Sequence, residues 1–308
     1  MDIVGAAITA TRAGEPRSAR GRFTGTWGLR FHSGGGIGVH VVLQGTCWLL
    51  PPDDSPPVQL TAGDVVLVPY RRAHGLANDP RTPLDDVRPG QQTYWQDDAD
   101  LPPDATPTVL LGATYHLCSV RPHPLIANLP TFIHMPSRIG ADQALRDVVN
   151  LLGAELESQQ PGTTAAIPAL LDLLLIYIVR CWYQRADMNN GWARALRDPG
   201  ITRALSAIEQ HPELPWTVET LAREAGSSRA TFARRFHDLI GQPPLGYLTW
   251  WRMTTASHLL RETNHPLQVI VARSGYQNEY AFSRAFKREF GTAPGTYRRT
   301  HHAVDTEP

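Results

Sequence analysis

The sequence predicts an α+β multidomain chain with three parts: a small antiparallel β-barrel or jelly roll, a helical hairpin, and an all-α C-terminal third holding two helix-turn-helix units. Three observations predict it. Short β-type runs punctuated by Gly and Pro fill residues 23–117. Apolar spacing changes to the helical period after residue 140, and one helix-turn-helix pattern occurs twice beyond residue 200. The boundaries that follow are 1–140 for the barrel, 141–188 for the hairpin, 189–199 for a linker and 200–302 for the C-terminal domain.

The barrel elements come first. The run 39–43 ends at Gly45, 47–50 ends at the turn 51–54, and 65–68 lies between Gly63-Asp64 and Pro69. Residues 79–108, rich in Pro, Asp and Gln, read as a long surface loop. Two helices follow. The first, 142–157, puts Leu145, Val148, Val149, Leu152 and Leu156 on one face. The second, 163–185, does the same with Ile167, Leu170, Leu171, Leu174, Ile178 and Trp182, and Pro161-Gly162 separates the two. Their apolar surface exceeds what one face of a small barrel needs. The surplus is expected either to make a homodimer or to pack within the chain.

Composition narrows the function classes. The 308 residues are 42% hydrophobic and carry no formal net charge. The charge is unevenly placed: 198–302 holds 13 basic against 9 acidic residues, where 1–197 holds 16 against 18. The basic excess therefore lies in the C-terminal third, where contacts to nucleic-acid phosphates need it. Lys287 is the one lysine among 29 basic residues. Cys47, Cys118 and Cys181 are odd in number and widely spaced, so a reducing cytoplasm is expected rather than a disulfide framework. Residues 1–10 lack a basic stretch followed by a long apolar core, which argues against a signal peptide. The apolar run 167–182 contains Asp172 and Arg180 and is read as too short to cross a bilayer, so no membrane partner is expected.

The C-terminal third repeats itself. Residues 222–236 align without gaps to 272–286: an Ala-Arg pair, both phenylalanines and the arginine between them recur. Each copy reads as a short helix, a glycine turn and a second helix opened by Ser228 or Asn278. Phe232 and Phe236, and likewise Phe282, Phe286 and Phe290, recur every fourth residue and must face the core. Arg234 and Arg284 are thereby turned outward at matched positions, where a helix in the major groove could grip guanine O6 and N7. Residues 245–260, with Tyr247, Trp250 and Trp251, form a spacer helix able to set the two reading helices about 34 Å apart. The two tryptophans themselves read as core.

From these residues a resemblance follows. The stretch 201–299 resembles the AraC/XylS DNA-binding domain, most specifically across 269–276 and 280–291, with Pro294 and Tyr297-Arg298-Arg299 closing it. The resemblance implies a sequence-specific transcription regulator whose partners are double-stranded promoter DNA and RNA polymerase; an activator is expected, with a repressor standing as the alternative. It places Arg229, Ala230, Ala233 and Arg234 toward bases on the first reading helix, and Glu279, Tyr280, Ser283 and Arg284 on the second. Lys287 reads as a phosphate contact.

Residues 63–69 with His74 resemble the second cupin motif, and 38–45 the first, as found in regulators that fuse a cupin-like domain to this module. The likeness runs on through 124–130. Metal-dependent cupins carry a second histidine where this chain has Val42, and a glutamate that is missing from 44–50. His40 and His74 remain, and His116 with Cys118 lies two apart on one strand face. Three readings stand. The histidines His40, His74 and His116 line a site for a small-molecule effector, they form a metal site with Cys118 (Cys47 and Cys118 being the pair that would sense oxidants instead), or they are hydrogen-bonded structural residues. An enzyme would need an open metal position or an acid/base pair, and neither is visible, so no catalytic residue or cofactor is expected.

Overall fold

The computed structural model describes residues 3–302 apart from 52, 54, 88–93, 96–105, 118–122, 138–141, 159 and 187–189. It divides into two units, one made of Ala13–Leu117 with Leu129–Trp182, the other of Met1–Arg12, Cys118–Asn128 and Tyr183–Pro308.

The first unit holds two sheets. Its strands are β1 (Arg12–Phe23), β2 (Gly28–Phe31), β3 (Ile37–Gln44), β4 (Thr46–Leu50), β5 (Val58–Thr61), β6 (Val65–Pro69), β7 (His74–Ala77), β8 (Asp85–Asp86), β9 (Tyr94–Trp95), β10 (Thr108–Leu117) and β11 (Ile133–Met135). One sheet runs β11-β6-β3-β10-β1-β9, the other β5-β4-β7-β2-β8. Within the expected 79–108 loop, β8 and β9 add short parallel edges to β2 and β1. Central β3 lies antiparallel to both β6 and β10, with His40 opposite Val66 and Gly112. Its run 37–42 is buried on both faces, which explains an unbroken apolar stretch in place of alternation. On one face Val42, Val66, Val68 and Leu110 pack with Cys47, Leu49, Leu60 and Leu76 of the second sheet. The opposite pleats, including Val39, Val41, Leu67 and Tyr115, are equally buried, and the Tyr115 hydroxyl donates to the Leu171 carbonyl of the hairpin.

The hairpin is α3 (Gln143–Ser158) and α4 (Thr163–Arg185), with Leu145, Val148, Val149, Leu152, Leu171, Leu174 and Ile178 buried as the periodicity requires. At 23 residues α4 is long and apolar enough to cross a bilayer by length and composition, contrary to the expectation from its sequence. Its inner face instead packs within the unit, while Leu173 of α4 and Leu151 of α3 are exposed.

The helical unit contains α1 (Ile3–Thr11), α2 (Pro124–Ala127), α5 (Gly191–Arg197), α6 (Pro199–Gln210), α7 (Val218–Glu224), α8 (Arg229–Ile240), α9 (Pro244–Glu262), α10 (Leu267–Arg273), α11 (Glu279–Phe290) and α12 (Pro294–His302). Two assignments from sequence change here. Residues 3–11, expected within the barrel, form a helix that buries Ile3, Val4, Ala7 and Ile8 and packs on α6 and α9. Residues 191–197, expected as linker, form α5, because Asn190 caps them by accepting the Ala193 N–H at 3.1 Å and Trp192, Ala193 and Ala195 are buried. Helix α5 packs on α8, so the helical unit begins earlier than residue 200.

Candidate functional site

Both reading helices are built alike. Ser228 accepts the Thr231 N–H at the start of α8, and Asn278 accepts the Ala281 N–H at 2.8 Å at the start of α11. Each helix is 12 residues long and ends at a left-handed glycine, Gly241 or Gly291. Phe232, Phe236, Phe282 and Phe286 have no exposed surface, which anchors both helices by the same side. From cap to stop the two copies are offset by 50 residues.

The preceding helices are not. Leu221 and Ala222 of α7 are buried as Ile270 and Val271 of α10 are, an offset of 49. The turn glycines agree with this: Gly226 and Gly275 have φ of +66° and +68°, and their N–H groups donate to Arg223 and Ala272 at 3.0 Å. Ala222 is buried while Ala272 is exposed, so the recurring Ala-Arg pair does not occupy equivalent places. The second unit has one more residue between its glycine and its reading helix, and the ungapped alignment concealed it.

The outward face carries the expected residues. Arg229, Ala230, Arg234, Glu279, Tyr280, Arg284 and Lys287 are exposed, and Ala233 and Ser283 half-buried. Tyr280 is 74% exposed, and the Arg284 guanidinium lies 6.0 Å from its ring centre. Arg235 is different, because its Nη2 lies 2.5 Å from Oδ2 of Asp198. Asp198 also caps α6 through Oδ1, which accepts from Gly200 and Ile201. The counterpart of Arg235 on α11 is Ala285, which is buried in the core around α9. Trp250 and Trp251 are buried, as expected of a spacer helix.

In the barrel, β3 and β7 bring His40 and His74 together, with their Nε2 atoms 2.7 Å apart. His74 Nδ1 lies 2.6 Å from the Arg72 carbonyl and must carry a proton to donate to it. His74 Nε2 then accepts, and His40 Nε2–H donates. Phe31 stacks on His74 at 4.9 Å between ring centres and tilts against His40 at 4.6 Å. Burial first, and then the neighbouring His74, holds His40 well below the ordinary imidazole value; burial lowers His74 as well. The pair is therefore neutral.

That geometry does not suit a shared ion. Tetrahedral ligation at bond lengths of about 2.0–2.1 Å sets two nitrogens roughly 3.3 Å apart with both lone pairs converging, whereas here one nitrogen donates to the other. Among the described residues no three His, Cys, Asp or Glu side chains cluster for a metal. His116 is exposed, and four residues along β10 from Gly112 it stands about 13 Å from the strand position facing His40. It does not join the pair. Cys118 lies outside the described residues. The buried Cys47 thiol is pushed up to about 12, chiefly by burial, which leaves no thiolate for redox sensing at neutral pH. The metal or redox reading is unsupported.

Sequence reasoning missed a cluster in the helical unit. His123, fully buried, sits among Trp192, Tyr247, Trp250 and Trp251 at 5.1–6.0 Å between ring centres. The available signal was a histidine directly before the cupin-like run 124–130.

Two matched reading helices on a spacer helix, in one chain with a cupin-like barrel, define a DNA-binding transcription regulator. Comparison with known proteins agrees. The cupin family matches residues 2–184 and the helix-turn-helix domain family matches 221–300. An AraC-like transcription regulator of Streptomyces antibioticus is 32% identical over 278 residues, covering 89% of this chain and 91% of its own. The transcriptional regulator AlkR of Acinetobacter baylyi is 31% identical over 290 residues, covering 89% and 92%. The solved DNA-binding domain of AdpA, in complex with a target DNA, is 33% identical over 36% of this chain and 99% of its own, with a TM-score of 0.34. The chain belongs to the AraC family of transcription regulators, in the group that carries a cupin domain before the helix-turn-helix units.

Proposed function

We propose that the chain reads promoter DNA through Arg229, Ala230, Ala233 and Arg234 of α8 and Glu279, Tyr280, Ser283 and Arg284 of α11, with Lys287 on a phosphate. The observation that supports this reading is the outward placement of Arg234 and Arg284 at matched positions, on helices equal in length, capping and anchoring. The protein works in the cytoplasm as an activator that engages RNA polymerase. Its barrel responds to a small-molecule effector bound at the Phe31–His40–His74 end, because the interior beyond is filled by Val42, Leu49, Leu60, Val68 and Leu76. His116 belongs to the outer rim of that end. Copies pair through the hairpin, where Leu151 of α3 and Leu173 of α4 are exposed.

Binding of the full chain to a duplex selected from a random pool tests the DNA reading. Affinity should fall steeply with salt and exceed that for random duplex by 10³-fold or more. Equal affinity for selected and random DNA would overturn it. Native mass spectrometry of the chain purified from its host tests the effector, with a bound mass lost in His40→Ala and Phe31→Ala as the expected result.

A further inference from the structure

The cluster around His123 is wired as well as packed. His123 Nδ1 accepts the Leu125 N–H at 3.0 Å, so the ring's proton is on Nε2. That Nε2 lies 3.0 Å from the Tyr247 hydroxyl, which donates in turn to Oε1 of Glu209 at 2.6 Å. One set of protons fits these three bonds: a neutral imidazole donating to tyrosine, and tyrosine donating to Oε1 of Glu209. Burial lowers the His123 pKa against the pull of Glu209, in keeping with the neutral ring. The carbonyl of Glu209 also receives the indole N–H of Trp251 at 3.3 Å. Glu209 belongs to α6, and Tyr247, Trp250 and Trp251 to α9. His123 thus lies where α6 meets the helix that spaces the two reading helices. Its own segment is held a second time, because the Tyr183 hydroxyl donates to the Leu125 carbonyl at 2.6 Å.

What makes this arrangement informative is the origin of the segment. Along the chain, residues 123–128 lie between β10 and β11, both barrel strands, yet they belong to the helical unit. The barrel's own sequence supplies the group that completes the core around α9.

We propose that His123 is a positioning residue for DNA reading: a plug supplied from between two barrel strands, whose seating against Tyr247 and Glu209 fixes the spacer helix and so the separation of the two reading helices. The proposal rests on the DNA reading above. Seating and specific binding then favour each other, because coupling between two equilibria is reciprocal.

Hydrogen exchange on the wild-type full chain tests it without any variant. The reporters are the α2 amides of Ala127 and Asn128, which donate to His123 and Pro124. Adding a selected duplex should slow their exchange about tenfold, within the usual 5–150-fold range of such coupling, while random duplex at the same salt should not. Protection confined to α8 and α11, with α2 unchanged, would overturn the proposal. His123→Ala should lower the ratio of selected to random affinity about tenfold and leave random affinity as it is. Tyr247→Phe, which keeps the ring and removes the relay, should lower it by a smaller factor. An unchanged ratio, or an equal loss on both duplexes, would count against a positioning role. If neither duplex is bound by the wild type, the DNA reading itself has failed, and that result is separate from α2 staying unprotected in a chain that does bind.

Discussion

The two helix-turn-helix units carry the same reading helix on different foundations. In the first, α7 opens with a reciprocal cap in which Thr217 and Thr220 exchange hydrogen bonds at 2.8 and 3.1 Å, and α8 is braced by Asp198 through Arg235. In the second, Pro266 opens α10 with no side-chain cap, the turn is one residue longer, and buried Ala285 replaces the ion pair. The lesson is that the reading helix and its phenylalanine anchors are kept while the support beneath them varies. Polar bracing in one unit and apolar packing in the other reach the same outward geometry.

The comparison can be broken most severely at the anchors. Phe232→Ala and Phe282→Ala should each cost about 3–5 kcal/mol, since both rings are fully buried, and denaturant unfolding measures it. A loss in one unit only would mean that the other is not anchored as described. Next come the arginines: Arg234→Ala and Arg284→Ala should each cost about 1–3 kcal/mol on a selected duplex and little on random DNA, read by titration at fixed salt.

Acidification sharpens the comparison from outside, because neither helix-turn-helix unit buries a histidine among the described residues. His40, His74 and His123 are buried with folded values below their unfolded ones. Their contribution is therefore present above about pH 6.5 and lost as pH falls toward the folded values. Each imidazole should remove up to about 1.4 kcal/mol per pH unit in that window, seen as a falling melting temperature. His123→Gln should flatten the slope for the helical unit, while Arg234→Ala should leave it unchanged. Smaller still, Thr217→Ala should cost about 1 kcal/mol of stability through the lost cap. Lys287→Ala should weaken selected and random duplexes alike and reduce the salt slope by about one. A change in base preference would move Lys287 from phosphate to base.

Much of this was legible in the sequence, for identifiable reasons. Period-four phenylalanines and the caps Ser228 and Asn278 are local signals, and they placed α8 and α11 correctly. The β3 and β6 runs showed through their branched apolar residues, and motif likeness brought His40 and His74 together. What stayed hidden depends on contacts distant in sequence. Helix α5 looks like a linker until Trp192 finds a place beside His123, and α1 looks like a barrel lead-in until Ile3 and Val4 meet the helical unit. His123 lies more than 80 residues from Glu209 and 124 from Tyr247, and no periodicity spans such a distance. The one-residue difference between turns was hidden because an alanine and an arginine recur at the offset of the reading helices rather than that of the helices before them.

That extra residue lies before Asn278, outside the two reading segments, and leaves them matched in length. From cap to stop, 228–241 and 278–291 are equal in length, begin on a polar side chain and end on a left-handed glycine, so either could replace the other without altering the length of the chain. A chimera with the second segment in both places should read one short DNA word twice. It would be expected to prefer a repeated word over two unlike words.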